Sequence, residues 1–312
     1  MKRRILGRTG LSVSEISLGT VEIGLDYGIP VHGDHGRPDE SSAAKLLHQT
    51  LDWGVNFIDT ARLYGEAEAI IGRALKSRRH EFVLTSKVTS FQDQELTSAA
   101  RKEKIKETVH ESLRLLQTDT IDILMIHSAP TQVILQGEVL QALQELRQEG
   151  HIRFTGVSVY GNESAMAAID DGGYDCMQIA YNALDRRPER GVLAAAAEKG
   201  VGIVARSVLL KGALTFRRDH LPSGLDPLKR AVDRIEAIAG GTVESLPELA
   251  YRYVLASDPP HSALVGTGSI GELKASIEFA DKGPLDAAVL EQIRSMPMLE
   301  EHFLNPGTWP KM

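Results

Sequence analysis

Four side chains that can donate, accept or stabilise a proton stand at or just beyond the ends of three apolar stretches. Asp59 closes the first stretch and Tyr64 follows it on a loop, Lys87 follows the stretch 82–86, and His127 follows the stretch 121–126. A phenol, an ammonium group, a carboxylate and an imidazole are together sufficient for general acid–base chemistry. If the fold brings the three ends together, the residue types predict a catalytic site; each residue alone is more typical of a structural role.

The elements that would position these residues follow from an alternation of strand-like and helix-like patterns along the chain. Eight such units predict a closed (β/α)₈ TIM barrel with its active site at the carboxyl ends of the strands. An open doubly wound sheet is less consistent with the sequence, since no G-x-G-x-x-G motif follows the first strand. Residues 3–13 predict a β-hairpin that closes the bottom of the barrel. The predicted strands are 15–19, 56–59, 82–86, 121–126, 154–158, 176–180, 202–205 and 263–265.

Composition sets further limits. The chain has 312 residues with a net charge of −7 and both signs interspersed, which favours neither nucleic acid nor an anionic membrane surface as a partner. The segment 1–7 has no apolar signal region, and no linker divides residues 1–312, so we expect one barrel domain in the cytoplasm. The single cysteine, Cys176, is predicted to be a small buried hydrophobe in a strand rather than a nucleophile. The oligomeric state is left open by the sequence.

Several motifs in register then resemble the aldo-keto reductase family over nearly the whole chain. The first is Asp59-Thr60-Ala61 followed by Tyr64-Gly65, Glu68 and Gly72, and the second is the pair Lys87 and His127. The opening Leu6–Ser14 is similar to the N-terminal hairpin of that family. Gly156-Val157-Ser158, Gln178 with Tyr181-Asn182, and Gly266-Thr267-Gly268-Ser269 occur in the order that the family uses.

The resemblance implies a reaction that interconverts an aldehyde or ketone and its alcohol by hydride transfer from or to NAD(P)(H). Addition of a hydride to a carbonyl leaves an alkoxide that needs a proton, and a free tyrosine with a pKa near 10 is a weak acid for that step. A nearby ammonium favours the phenolate form. The implied roles are therefore Tyr64 as general acid/base, Lys87 as the group that tunes it, Asp59 as counter-charge to Lys87, and His127 as the group that orients the carbonyl.

The cofactor-binding residues are also carried over from the resemblance, with two departures near the nicotinamide. The family usually has Ser-Asn at the fifth strand end, where this chain has Ser158-Val159, so one hydrogen bond to the amide is expected to be missing. An aromatic often stacks on the nicotinamide after the seventh strand, where this chain has Arg206; its guanidinium can stack, face a substrate carboxylate, or form a salt bridge at the rim. The predicted cofactor-binding residues are Gly19, Thr20, Ser158, Gln178, Arg206, Ser207, Leu209, Gly212, Gly266, Thr267, Gly268, Ser269, Glu272 and Ser276.

The adenosine end of the cofactor is expected at the start of the last barrel helix, because backbone N–H groups there favour phosphate. Enzymes that select NADP usually offer Arg or Lys to the 2′-phosphate, whereas this chain has Glu272 there and Ser276 where the family often has Asn. A carboxylate would repel the phosphate and could accept from a free ribose hydroxyl. NADP(H) is the family default, and NAD(H) is a serious alternative.

Two further points remain open in the sequence. A non-catalytic barrel that binds the cofactor as a regulator or redox sensor is the alternative to an enzyme, although the complete set of four catalytic residues favours the enzyme. His32, Asp34 and His35 cluster in one loop without a ligand spacing typical of a metal site, so no metal is expected. The substrate pocket is expected to draw on the segments 21–37 and 215–228, the segment after Lys87, and the tail near Phe303 and Trp309.

Overall fold

The computed structural model describes residues 1–29, 31 and 36–310. Eight parallel strands form a closed barrel in chain order, because the last strand pairs with both the first and the seventh. This confirms the predicted (β/α)₈ architecture. The barrel strands are β3 (Ile16–Gly19), β4 (Phe57–Asp59), β5 (Val83–Val88), β6 (Ile121–Ile126), β7 (Ile152–Val159), β8 (Cys176–Ala180), β9 (Gly202–Arg206) and β10 (Ser262–Gly266).

Helices surround the barrel and pack their apolar faces on the outer side of the strands. In the longest of them, Ile105, Val109, Leu113 and Leu116 recur at helical spacing and are all buried. The α-helices are α1 (Val21–Gly24), α2 (Glu40–Asp52), α3 (Ala67–Leu75), α4 (Ser98–Leu116), α5 (Thr131–Gln136), α6 (Glu138–Gln148), α7 (Gly161–Asp171), α8 (Val192–Lys199), α9 (Asp226–Ala239), α10 (Leu246–Leu255), α11 (Ile270–Asp281), α12 (Ala287–Ser295) and α13 (Glu301–Leu304). No helix in the described ranges combines the length and the apolar character that crossing a membrane would require.

An antiparallel hairpin, β1 (Arg3–Ile5) and β2 (Ser12–Ser14), precedes the barrel, as predicted. Leu6, Leu11 and Val13 belong to an apolar cluster with side chains from the interior of the barrel, among them Cys176. The turn of the hairpin approaches the start of β9 so closely that a Cβ atom on Gly7 would lie 2.4 Å from the carbonyl oxygen of Gly200. The hairpin therefore fills the amino-terminal end of the barrel with apolar side chains.

The predicted strand positions are correct, and some of their ends differ by one or two residues. β5 continues to Val88, so Lys87 lies inside the strand rather than after it. β9 includes Arg206, and β7 begins at Ile152. Cys176 is buried in β8, as expected for a small hydrophobe, and burial raises the pKa of its thiol.

Candidate active site

A buried ion pair lies at the carboxyl ends of two adjacent strands. The Nζ atom of Lys87 on β5 is 2.6 Å from Oδ2 of Asp59, the last residue of β4. The same ammonium donates to the carbonyl oxygen of Thr60 at 2.9 Å and lies 3.4 Å from the Oη atom of Tyr64. All three ammonium donors therefore have an acceptor, which is the condition for keeping a charge of this kind buried.

The electrostatics of this pair keep the lysine protonated. Lys87 and Asp59 are each 1% exposed. Burial by itself would lower the pKa of the Lys87 ammonium, but the Asp59 carboxylate and Tyr64 outweigh it, so that the pKa of Lys87 is raised. The structure thus places a permanent positive charge beside the hydroxyl of Tyr64.

Tyr64 is held on the short loop between β4 and α3. Its backbone N–H donates to the carbonyl of Ala61, and the turn continues through Gly65, whose φ of +54° and contact with Gly24 exclude a side chain. The loop is further fixed by Glu68, a fully buried carboxylate that accepts from Arg62 at 2.6 Å and from Ser86 at 2.6 Å. The phenol therefore has a defined position relative to β5.

His127 follows β6 directly, and β6 is the neighbour of β5 in the barrel. Its ring meets the ring of Tyr64 edge-on, with centroids 5.7 Å apart. Its Nδ1 atom is buried and has no hydrogen-bond partner in the described part of the chain. Burial, with the positive charges of Lys87 and Arg206, lowers the pKa of His127 to about 3. The imidazole is therefore neutral at physiological pH.

This neutral state can be tested directly. We expect the ring signals of His127 in NMR spectra of the labelled protein to stay constant between about pH 5 and 8, because its charge changes only near pH 3, whereas an ordinary histidine titrates near pH 6.5. The spectrum of a His127→Gln variant identifies the signal. An inflection of that signal near neutral pH would contradict the expectation.

A cavity of about 560 Å³ opens above these residues, within the usual range for small-molecule sites. It extends from Tyr64 and His127, past the ends of β7 to β9, to the start of α11. Most of the predicted site residues line it; Lys87 lies buried beneath, and Gly268 and Ser269 are not among its described lining residues. The predicted residues that line it are Asp59, Tyr64, His127, Gly19, Thr20, Ser158, Gln178, Arg206, Ser207, Leu209, Gly212, Gly266, Thr267, Glu272 and Ser276.

Gln178, which is predicted to bind the cofactor, also forms a hydrogen bond with Asp59, which is predicted to be catalytic. Its Nε2 atom donates to Oδ1 of Asp59 at 2.9 Å, across the barrel from β8 to β4. Its Oε1 atom accepts no hydrogen bond from a described residue. Ser158 is its register partner on β7, so both polar side chains lie side by side on the cavity wall. This pair presents hydrogen-bonding groups suited to an amide.

Of the three roles considered for Arg206, a salt bridge at the rim is not formed with any described residue. Its guanidinium stacks on the ring of Tyr160, with Cζ 3.8 Å from the centroid. It donates to the carbonyl oxygen of Val159 at 2.9 Å and to the hydroxyl of Ser207 at 3.2 Å. Within the described ranges no carboxylate pairs with it.

The far end of the cavity is acidic. Glu272 lies in the first turn of α11 and accepts a hydrogen bond from Thr267, while Ser276 donates to the carbonyl of Glu272 one turn later. Glu22 on α1 lines the same end, and its Oε1 atom is 3.5 Å from where a Cβ atom on Gly266 would be. No lysine or arginine occurs among the described lining residues from 264 to 279.

The shape and polar groups of this cavity fit a nicotinamide dinucleotide. Ser158 and Gln178, the glycine-containing segment at Gly212 and the amino-terminal end of α11 lie along one continuous space. A side chain at Gly266 would project toward Glu22 and narrow this space. The buried hydroxyl of Tyr251, which also lines the far end, has no hydrogen-bond partner in the described residues. The residues present would therefore hold such a cofactor.

Several cavity residues lie outside the sequence-based prediction, among them Tyr160 and Tyr251. Tyr160 stands two positions after Ser158, and the two-residue period of a strand could have placed it on the same face. Tyr251 carries no comparable signal, since an outer helix brings it to the cavity. Glu22 lies within the predicted pocket segment 21–37 and is not singled out there. The expected pocket segments are partly correct: Tyr27 from the first and Phe216 from the second line the cavity.

Two other expected pocket segments, the one after Lys87 and the C-terminal tail, agree less closely with the structure. Among the described residues, none in the segment immediately after Lys87 lines the cavity. Ser128, which follows β6, does line it. The tail contributes Pro306 and Gly307 rather than Phe303 and Trp309. His32, Asp34 and His35, considered above as metal ligands, lie outside the described residues.

Comparison with known proteins places this geometry in context. The sequence model of the Aldo/keto reductase family matches residues 15–297. The chain is 28% identical over 311 residues to the uncharacterized oxidoreductase YqkF of Bacillus subtilis (strain 168), covering 95% of this chain and 96% of that protein. It is 28% identical to the NADH-specific methylglyoxal reductase of Escherichia coli (strain K12), covering 89% and 93%. The solved holo form of aldo-keto reductase AKR11C1 from Bacillus halodurans matches with a TM-score of 0.78 and 31% identity, covering 97% and 99%.

Proposed function

The chain belongs to the aldo/keto reductase family and is an oxidoreductase, and we propose that it interconverts a small aldehyde or ketone and its alcohol by hydride transfer with Tyr64 as the proton donor. The observation that carries this proposal is the chain of contacts from Tyr64 Oη to Lys87 Nζ at 3.4 Å and from Lys87 to Asp59 at 2.6 Å. Tyr64 and Asp59 line the cavity together with His127, and Lys87 lies buried beneath them.

The proposed reaction transfers a hydride and a proton to the carbonyl group. A reduced nicotinamide cofactor, held by Ser158 and Gln178, would supply the hydride: its own C–H bond would break, a C–H bond to the carbonyl carbon would form, NAD(P)⁺ would remain, and the C=O π pair would move onto oxygen. That oxygen takes the proton of the Tyr64 hydroxyl, and the alcohol results. The Lys87 ammonium stabilises the charge left on the phenol oxygen, since it lies next to that atom and cannot be neutralised while Asp59 remains its partner. The reverse sequence oxidises an alcohol.

His127 has a different task in this scheme. Because its imidazole is neutral, one ring nitrogen carries a hydrogen and can donate to the carbonyl oxygen between it and Tyr64 without adding a charge. Ser158 and Gln178 would hold the carboxamide of the cofactor. Oxidoreductase relatives over almost the full length favour this catalytic role over the non-catalytic regulatory barrel.

The function is tested by turnover. The purified protein is offered a panel of small aldehydes and ketones with NADH and with NADPH, and the absorbance of the reduced cofactor is followed. We expect consumption of cofactor that depends on the carbonyl compound. Absence of turnover across the panel, with cofactor bound, would favour the regulatory alternative.

We further propose that the site accepts NAD(H) at least as well as NADP(H). The acidic far end with Glu22 and Glu272 supports this, because carboxylates accept from a ribose hydroxyl and repel a 2′-phosphate. Lys274, the nearest lysine on α11, is exposed and pairs with Glu278 instead. The relative from Escherichia coli is described as NADH-specific, which agrees with this proposal.

Reversing the charge at Glu272 should shift the preference. We expect Glu272→Arg to raise the affinity for NADPH relative to NADH by about tenfold or more, because an arginine next to the 2′-phosphate adds a charge-assisted hydrogen bond. The measurement is equilibrium titration of both cofactors at fixed ionic strength. Glu278→Arg, on the exposed side of the same helix, makes the same charge change outside the cavity and should leave the ratio unchanged. Strong selection of NADPH by the unaltered chain would show that another group binds the phosphate.

A further inference from the structure

The stacked pair of Arg206 and Tyr160 has features that the reaction scheme does not use. The guanidinium is fixed on three sides, by the ring at 3.8 Å, by the carbonyl of Val159 and by the hydroxyl of Ser207. None of these partners carries a negative charge, and no described carboxylate pairs with it. Arg206 therefore contributes to the cavity wall a positioned positive charge that no carboxylate of the described residues pairs with.

The register of the barrel strands places this charge next to Ser158 and Gln178. Gln178 on β8 is the partner of Val204 on β9, and Arg206 lies two residues further along β9. Residues two apart in a strand share a face, so Arg206 and Gln178 border the same part of the cavity. The charge also reaches the reaction centre, since Arg206 is one of the groups that lower the pKa of His127.

We propose that Arg206, fixed on Tyr160, makes the cavity discriminate between the two oxidation states of its cofactor, binding the reduced form more tightly than the oxidised form. The dihydronicotinamide ring is neutral and the oxidised ring carries one positive charge. A second positive charge on the cavity wall beside the ring would repel only the oxidised ring, and in a partly buried site this repulsion is only weakly screened. This inference rests on the proposed function, because it requires that a nicotinamide occupies this part of the cavity.

The comparison of oxidation states isolates the effect of Arg206. The pyrophosphate and adenosine portions are identical in both forms, so their attraction to positive side chains cancels in the ratio of the two dissociation constants. We expect the unaltered chain to bind NADH at least about tenfold more tightly than NAD⁺, which corresponds to about 30 mV for a two-electron couple.

The test is equilibrium titration, by calorimetry, of NAD⁺, NADH and ADP-ribose, without a carbonyl substrate. In Arg206→Gln the planar amide can still donate to Val159 but the charge is lost. We expect the affinity for NAD⁺ to rise, the affinity for NADH to stay within about threefold, and the ratio to fall about tenfold. Arg206→Lys retains a charge and should retain most of the ratio. Arg114→Gln removes a positive charge from the exposed face of α4 and should leave the ratio unchanged.

Two results would overturn the inference. The first is a ratio that Arg206→Gln does not change. The second is an equal loss of affinity for all three ligands, ADP-ribose included, which would make Arg206 a phosphate-binding residue. If none of the three ligands binds to the unaltered chain, the proposed function fails together with the inference, whereas either of the first two results leaves the proposed function intact.

Discussion

Replacing Tyr64 with phenylalanine should reduce turnover by a factor of about 10² to 10⁴, the range expected for loss of a general acid, while the affinity for the cofactor stays nearly unchanged. The variant loses one hydroxyl and keeps the ring that faces His127 edge-on. The Lys87 ammonium retains its two shorter hydrogen bonds, to Asp59 and to Thr60, so the buried pair remains intact. Steady-state turnover and cofactor titration measure the two quantities separately.

A matched control is available at the other end of the barrel. Tyr174 precedes β8, is buried, and its hydroxyl has no hydrogen-bond partner among the described residues. Tyr174→Phe likewise removes a phenol hydroxyl, but one that forms no hydrogen bond with a described residue. We therefore expect the turnover of this variant to equal that of the unaltered protein. Turnover retained by Tyr64→Phe would mean that another group donates the proton.

The second large effect is expected on Lys87. In Lys87→Met the Asp59 carboxylate stays buried with Gln178 as its remaining hydrogen-bond donor. Leaving one partner of a buried ion pair unpaired typically costs about 3–5 kcal/mol, so we expect the free energy of unfolding to fall by that amount. Turnover should fall by at least about 10²-fold, because the charge beside Tyr64 is gone.

The double variant Lys87→Met, Asp59→Asn separates the two effects. Asparagine carries no charge and can still accept from Gln178, so most of the lost stability should return. Turnover should remain as low as in the single variant, since no ammonium faces Tyr64. Denaturant unfolding and turnover are measured on the same preparations. Recovery of activity together with stability would show that Lys87 acts only by holding the fold together.

Much of this site could be predicted because it depends on local patterns. Asp59 and His127 each stand at the end of an apolar run, and a closed barrel brings the ends of its strands together. The two-residue period of strands also predicts which side chains point inward. Lys87 is accommodated within β5 only because its ammonium has acceptors, and its distance from Asp59 follows from the adjacency of β4 and β5.

The remaining contacts depend on how opposite walls of the barrel approach each other. Gln178 and Asp59 are 119 residues apart in sequence, and no periodicity within either strand specifies contact across the interior. The stack of Arg206 on Tyr160 likewise depends on the side-chain conformations of a residue on β9 and a residue just after β7, which a one-dimensional pattern does not contain. Glu22 reaches the cavity from a helix of four residues, too short to give a periodic signal.

The N-terminal hairpin limits the routes by which a proton can return to Tyr64. Leu6, Leu11 and Val13 pack with apolar side chains from the barrel interior, so within the described residues no polar path leads to Tyr64 through the hairpin end of the barrel. In the proposed reaction, the proton that returns to the Tyr64 phenol would therefore have to come through the cavity at the carboxyl ends of the strands. The proposed cofactor and carbonyl compound would enter through the same cavity, so proton return and ligand exchange would compete for one space.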